Sequence, residues 1–162
     1  MHRVEKDAIA RCVPGAEWRE IHLAAALQIA EGLVSLGILV GAPDSLVERD
    51  THAMFFPHGL GHMVGLGVRD ASGYLPGRKR SDRPGLNMLR TDLPLEKGYL
   101  MTVEPGIYFI PALLQDPALR ERHRDAVRWD RVDSLLDFGG IRIEDDVLVT
   151  DGTPEVLTSA IP

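Results

Sequence analysis

The run FFPHGLGHMVGLGVRD, residues 55 to 70, has glycine at 59, 61, 65 and 67 and two histidines, His58 and His62, four positions apart. Those glycines constrain the fold more than any other feature. In a helix each would cost about 1 kcal/mol relative to alanine, so the segment is expected to run extended. Met63, Val64, Leu66 and Val68, after His62, suit a half-buried extended stretch. On a helix, residues i and i+4 share a face and can share an ion, but no carboxylate of an HExxH motif stands between these two. In an extended chain their Cα atoms lie roughly 13 Å apart, at ~3.3 Å per residue. Two nitrogens that must each approach an ion to ~2 Å then cannot share it unless the chain bends sharply. One histidine as ligand and one as neighbour is the expected arrangement, provided further ligands come from elsewhere.

Upstream the apolar spacing is helical. Val4, Ala8 and Cys12, with Ile9 and Val13 beside them, predict a short amphipathic helix that Pro14-Gly15 ends. From Glu17 to Leu36 the residues Trp18, Ile21, Ala25, Ile29, Leu33 and Leu36 form one stripe, with Gly37 as the residue after the cap. Leu46 to Thr51 suits a helical turn. Downstream, Gly98 to Val103 predicts a strand halted by Pro105-Gly106, and Gly139 to Thr150 predicts one further strand. DPALRERHRDAV predicts a helix capped by Asp116 with Pro117 at its first position. Helices followed by strands point to an α+β fold, helices laid on a mostly antiparallel sheet. The 162 residues, 44% hydrophobic and 26% charged, suit one soluble globular domain.

Several function classes are disfavoured. A net charge of −6 offers no electrostatic basis for nucleic-acid binding, and the short cluster Arg78-Lys79-Arg80 suits a solvated loop. One cysteine, Cys12, forms no internal disulfide and suits a reducing compartment. The first twelve residues hold no signal-peptide core and no run of about 18 apolar residues exists, so a cytoplasmic, non-membrane protein is expected. No phosphate loop, cysteine-based zinc pattern, nucleophile elbow or dinucleotide fingerprint is present.

Glu104 stands at the end of the strand before Pro105, a place that faces either a cleft or water. Alternation puts Arg142 and Glu144 on one face of their strand. Glu144, Asp145 and Asp146 repel one another, which either leaves a solvated face or is offset by a cation or a buried arginine. His2, His22, His52 and His123 have no glycine-rich setting and suit structural or solvated roles, His22 flanking the stripe of the long helix. Arg90, in LNMLRTDLP, either snorkels or offers a fork to a carboxylate. Together His62, Glu104 and Glu144 make a mixed nitrogen and oxygen set suited to a hydrolytic divalent metal of manganese, cobalt or zinc type.

PHGLGHMVGLGVRD, LMTVEPGIYF and GGIRIEDDVLVT, in this order, resemble the C-terminal part of the pita-bread (creatinase/aminopeptidase) metallopeptidases, most of all the prolidase (Xaa-Pro dipeptidase) and aminopeptidase P branch. The segment from 110 to 138 also resembles prolidase. The resemblance covers essentially the whole chain and implies that residues 1–162 are a single, partial catalytic domain, the C-terminal half of that fold. It implies that His62, Glu104 and Glu144 ligate metal. It further implies that Glu104 takes a proton from the attacking water and that Glu144 bridges two ions, most often manganese. By the same resemblance His58 and Arg90 bind substrate, and His58 steadies the tetrahedral intermediate. Arg142 stands behind the last glutamate, and Arg69 occupies a position where the family usually has histidine. An arginine there holds an anion and exchanges no proton.

The family's other two ligands are aspartates eleven residues apart, and no pair of aspartates here has that spacing. The resemblance places them upstream of the two helices, so the chain is expected to begin after them. Two readings result. One is a metal-dependent peptidase that hydrolyses the bond before proline in dipeptides or short peptides through a metal-bridged hydroxide. Its isolated C-terminal half would be inactive, and a homodimer or association with the other half is expected. The other is a catalytically inactive remnant that binds a peptide or protein.

Overall fold

Helices form where the apolar spacing is helical. A computed structural model of the chain describes residues 1–70 and 73–161. In it α1 spans His2–Ala10 and α2 spans Trp18–Ser35. Gly37 takes φ +68°. Its N–H reaches Val34 C=O, and Ile38 N–H reaches Leu33 C=O, both at 2.9 Å. That closes α2 with the paired bonds of a Schellman motif, which glycine enters without strain. Trp18, Ile21, Ala25, Ile29 and Leu33 are buried as expected. Leu36 is 57% exposed, because it is the cap and the stripe stops one turn earlier. His22 does not flank the stripe but lies within it, 1% exposed.

Pro43 starts α3, Pro43–Glu48, earlier than expected, and a 3-10 turn follows at Thr51–Met54. The strands are β1, Leu100–Val103, and β2, Gly106–Tyr108. Then come α4, Pro111–Leu114; α5, Pro117–Arg122; and α6, Trp129–Asp133. Asp116 caps α5 as expected, accepting from the N–H groups of Ala118 and Leu119 at 2.8 and 3.0 Å. The stretch from 139 to 150, expected as one strand, is two: β3, Gly140–Arg142, and β4, Asp145–Leu148. A short β5, Glu155–Val156, completes the set.

The division of that strand has a physical cause. Pro105 has no N–H and interrupts the ladder between β1 and β2. Its antiparallel partner breaks at the same level, so β1 pairs with β4 in a three-stranded sheet ordered β1-β4-β5, and β2 pairs with β3 in a second. Val103 faces Asp145 and Gly106 faces Arg142. The same register carried across the break sets Glu104 opposite Glu144.

The α2 stripe, Phe55, Phe56 and Leu60 join Met101, Val103, Val147 and Val149 in one hydrophobic core. Arg78 departs from the solvated loop expected for it: it pairs with Glu17 and with Asp92, which is fully buried and also meets Arg19. A buried carboxylate needs such partners, and they stand far off in sequence. Among the described residues no helix is long and apolar enough to cross a membrane.

Ile29 is 2% exposed and Leu36 57%. Ile29→Ala is therefore expected to lower unfolding stability in urea by about 3 kcal/mol, and Leu36→Ala by less than about 0.5 kcal/mol. Equal losses would show that α2 does not pack through this face.

Candidate metal centre

Backbone pairing brings the site together. The segment after His58 runs antiparallel to β1: Thr102 N–H donates to His62 C=O at 2.9 Å, and Glu104 N–H to Leu60 C=O at 2.8 Å. Met63 bridges Met101 across the same pair of strands. Only glycine fits at position 61, where a Cβ would lie 1.8 Å from the Thr102 carbonyl oxygen. The segment is extended only as far as Val64. Gly65 N–H then turns to Gly67 C=O and Asp70 N–H returns to Met63 C=O, so Leu66 and Val68, expected half-buried, stand in solvent at the tip of a loop.

His62 Nε2 lies 3.5 Å from Glu104 Oε1, both side chains buried. With the more exposed Glu144, each offers one ligand atom within 4.8 Å of the others. This is the set singled out from the sequence, and among the described residues it is the only group of this kind. His62 Nδ1 lies 3.0 Å from Met63 C=O, which can only accept, so in the neutral ring the proton sits on Nδ1 and a lone pair at Nε2 faces the glutamate. Two acceptors opposed in this way require a cation between them, a proton or a metal.

His58 is placed differently. Its Nδ1–H donates to Gly59 C=O at 2.8 Å, and its Nε2 lies 3.1 Å from the Tyr108 hydroxyl. Neither nitrogen belongs to the cluster. Arg142 Nη1 lies 3.1 Å from Glu104 Oε2, and Arg142 Nε lies 3.7 Å from Glu144 Oε2, so one guanidinium spans two carboxylates that would otherwise repel. A cleft of about 150 Å³ is lined by His58, His62, Glu104, Met88 and the exposed side chains of Arg69 and Arg90.

Two contributors were not singled out from the sequence. Thr102 Oγ1 accepts the His62 N–H at 3.0 Å and donates to Glu104 Oε1 at 3.2 Å. Strand alternation places Thr102 on the face of Glu104, so that signal was available. Tyr108 stacks edge-on against His58, ring centroids 5.3 Å apart, and burial raises its hydroxyl pKa. Nothing in its local sequence distinguishes it.

Comparison with known proteins bears on the family and the fold. Residues 1–151 match the model of metallopeptidase family M24. The Xaa-Pro dipeptidase of Homo sapiens is 43% identical over 145 residues, 90% of this chain and 29% of that protein. A Xaa-Pro dipeptidase of Xanthomonas campestris pv. campestris is 41% identical over 150 residues, 91% of this chain and 34% of its own length. The structure of the aminopeptidase PepP of Pseudomonas aeruginosa superposes with a TM-score of 0.72 at 34% identity, covering 99% of this chain and 30% of that one. The chain thus spans about a third of the length of the curated relatives it matches.

Behind the site, His22 and His52 are buried in the core, and burial pushes both imidazoles down to about 4. A histidine whose folded pKa is depressed favours the native state above the unfolded pKa of ~6.5, and that contribution is lost as pH falls toward the folded value. From these two groups, unfolding stability is expected to be level from about pH 6.5 to 8 and to fall between about pH 6.5 and 4 as the unfolded chain takes up the two protons. The native ring signals of His22 and His52 in NMR should stay at their neutral positions down to about pH 5. Titration of both near pH 6.5 in the folded chain would refute this.

Proposed function

This chain belongs to metallopeptidase family M24, and we propose that it supplies part of the divalent-metal site of a peptidase that hydrolyses the bond before proline in Xaa-Pro dipeptides or short peptides. The observation that carries the reading is the convergence of His62, Glu104 and Glu144 within 4.8 Å. The lone pair of His62 Nε2 opposed to a buried carboxylate is the arrangement a divalent ion satisfies. His62 Nε2, Glu104 and Glu144 would hold it, and a donor set of one imidazole and two carboxylates suits manganese, with cobalt and zinc as alternatives. The ion, when bound, supplies a water that ionises near neutral pH and an electrophile for the scissile carbonyl. The family's two aspartate ligands then come from polypeptide outside these 162 residues.

The chain's own residues perform the rest. Glu104, one of the three ligands, would accept the proton of the attacking water; Thr102 and Arg142 fix the carboxylate's orientation. His58 already gives its Nδ1 proton to Gly59, so it can donate to a developing oxyanion only from a protonated Nε2, beside the Tyr108 hydroxyl. Arg90, on the rim of the cleft, pairs with the free carboxylate of a dipeptide. Arg69 adds a second fixed positive charge to that rim. The alternative, a remnant that binds peptide without turnover, draws on the three-residue ligand set, too small to clamp two ions.

Manganese titration of the purified chain tests the site. His62→Ala is expected to abolish binding, while His58→Ala keeps the affinity within about threefold, because only His62 offers a free lone pair. Turnover of a Xaa-Pro dipeptide by the 162 residues alone should stay at background and appear when a segment carrying the aspartate pair is added. Loss of binding in the His58 variant, or full turnover by the lone chain, would contradict the assignment. Arg90 is tested in the reconstituted enzyme, where Arg90→Ala should raise KM for dipeptides at least about tenfold more than for the corresponding amides. Equal effects on the two substrates would remove its role at the carboxylate.

A further inference from the structure

We propose that His22, on α2, is a positioning residue for this site: its imidazole ties the loop that carries His58 and His62 to the loop that carries Arg90. The proposal rests on the metal-site reading for its functional meaning and on geometry for its existence. His22 is 1% exposed. Its Nδ1 accepts the Leu60 N–H at 3.2 Å, so the ring proton is on Nε2, which donates to Gly85 C=O at 2.8 Å. Leu60, midway between His58 and His62, passes the restraint on, because its own carbonyl accepts the Glu104 N–H.

The ring face is used as well. Phe56 stacks on His22 with centroids 5.4 Å apart and meets His58 edge-on at 4.9 Å. On the other side, Gly85 opens the turn that leads to Arg90. That turn is held by Asn87 N–H on Arg83 C=O, by Leu89 N–H on Leu86 C=O, and by Arg83 on Asp50. Both polar edges of one buried ring thus join two separate loops, each bearing residues of the cleft. A residue that merely filled the core would need neither bond, and leucine would serve. The task calls for a rigid ring with a donor on one edge and an acceptor on the other, which neutral histidine provides. Burial keeps the ring neutral, so the pattern holds at ordinary pH.

Substitution can cut the two ties separately. Asparagine reaches the Nδ1 position and keeps the bond from Leu60; glutamine reaches the Nε2 position and keeps the bond to Gly85. In the 162-residue chain, His22→Gln is expected to accelerate exchange of the Leu60 amide at least about fivefold and to move the ring 15N signals of His58 and His62. His22→Asn should leave those unchanged and move the amides from Gly85 to Arg90 instead. If both variants disturb both loops alike, or neither disturbs either, His22 is a filler and the proposal fails. One measurement needs no substitution: the 15N shifts of His22 in the unaltered chain should show a protonated Nε2 and a bare Nδ1, and the opposite tautomer overturns the proposal. None of these readouts involves metal, so a chain that binds no manganese defeats the metal-site reading and leaves this test intact.

Discussion

The site depends on one stretch of backbone pairing, between residues 60 to 64 and β1. Two N–H groups of the strand, at Thr102 and Glu104, end on carbonyls at His62 and Leu60. Side chains on paired strands are brought within a few ångströms without any attraction of their own. The imidazole of His62 and the carboxylate of Glu104 are therefore held together by peptide hydrogen bonds, which persist whether or not a cation lies between them. Gly61 is the condition for this pairing, since any side chain there would run into the Thr102 carbonyl.

The second constraint comes from proline. Pro105 breaks the ladder, the partner strand breaks opposite it, and each break bears a glutamate at its edge. Residues inside a continuous ladder are committed to their neighbours, whereas those at a break can turn both carboxylates toward a common point. Two like charges in register are unfavourable by themselves. Arg142 reduces that repulsion from one side. A divalent ion would reduce it from the other, and it is the more effective partner for the bare nitrogen of His62.

Around this core several buried polar groups find their partners on distant segments. His22 joins residues 60 and 85; Thr51 meets His123 at 3.1 Å; Asp92 meets Arg19 and Arg78. Such contacts position loops that have few regular elements of their own. The stretch from 73 to 99 contains no helix or strand, yet it brings Met88 and Arg90 to the cleft.

Local chemistry was legible wherever one residue type decides a conformation. The amphipathic spacing of α2, the cap at Gly37, the Asp116 cap and the extended run after His58 all followed from properties of a few neighbouring residues. The separation of His58 from the His62–Glu104–Glu144 cluster is in keeping with the reach of an extended chain, which bond lengths fix. Tertiary structure alone decided the rest. The break at residues 143 and 144 was invisible because its cause, Pro105, lies almost forty positions away on the partner strand. Leu36 and Val68 are apolar by type, but exposure is set by where a helix stops or a loop turns. Arg78, His22 and Tyr108 owe their roles to partners across the fold, and no local pattern encodes which distant group a side chain will meet. Residue type establishes what each group can donate, accept or ligate; packing establishes to whom.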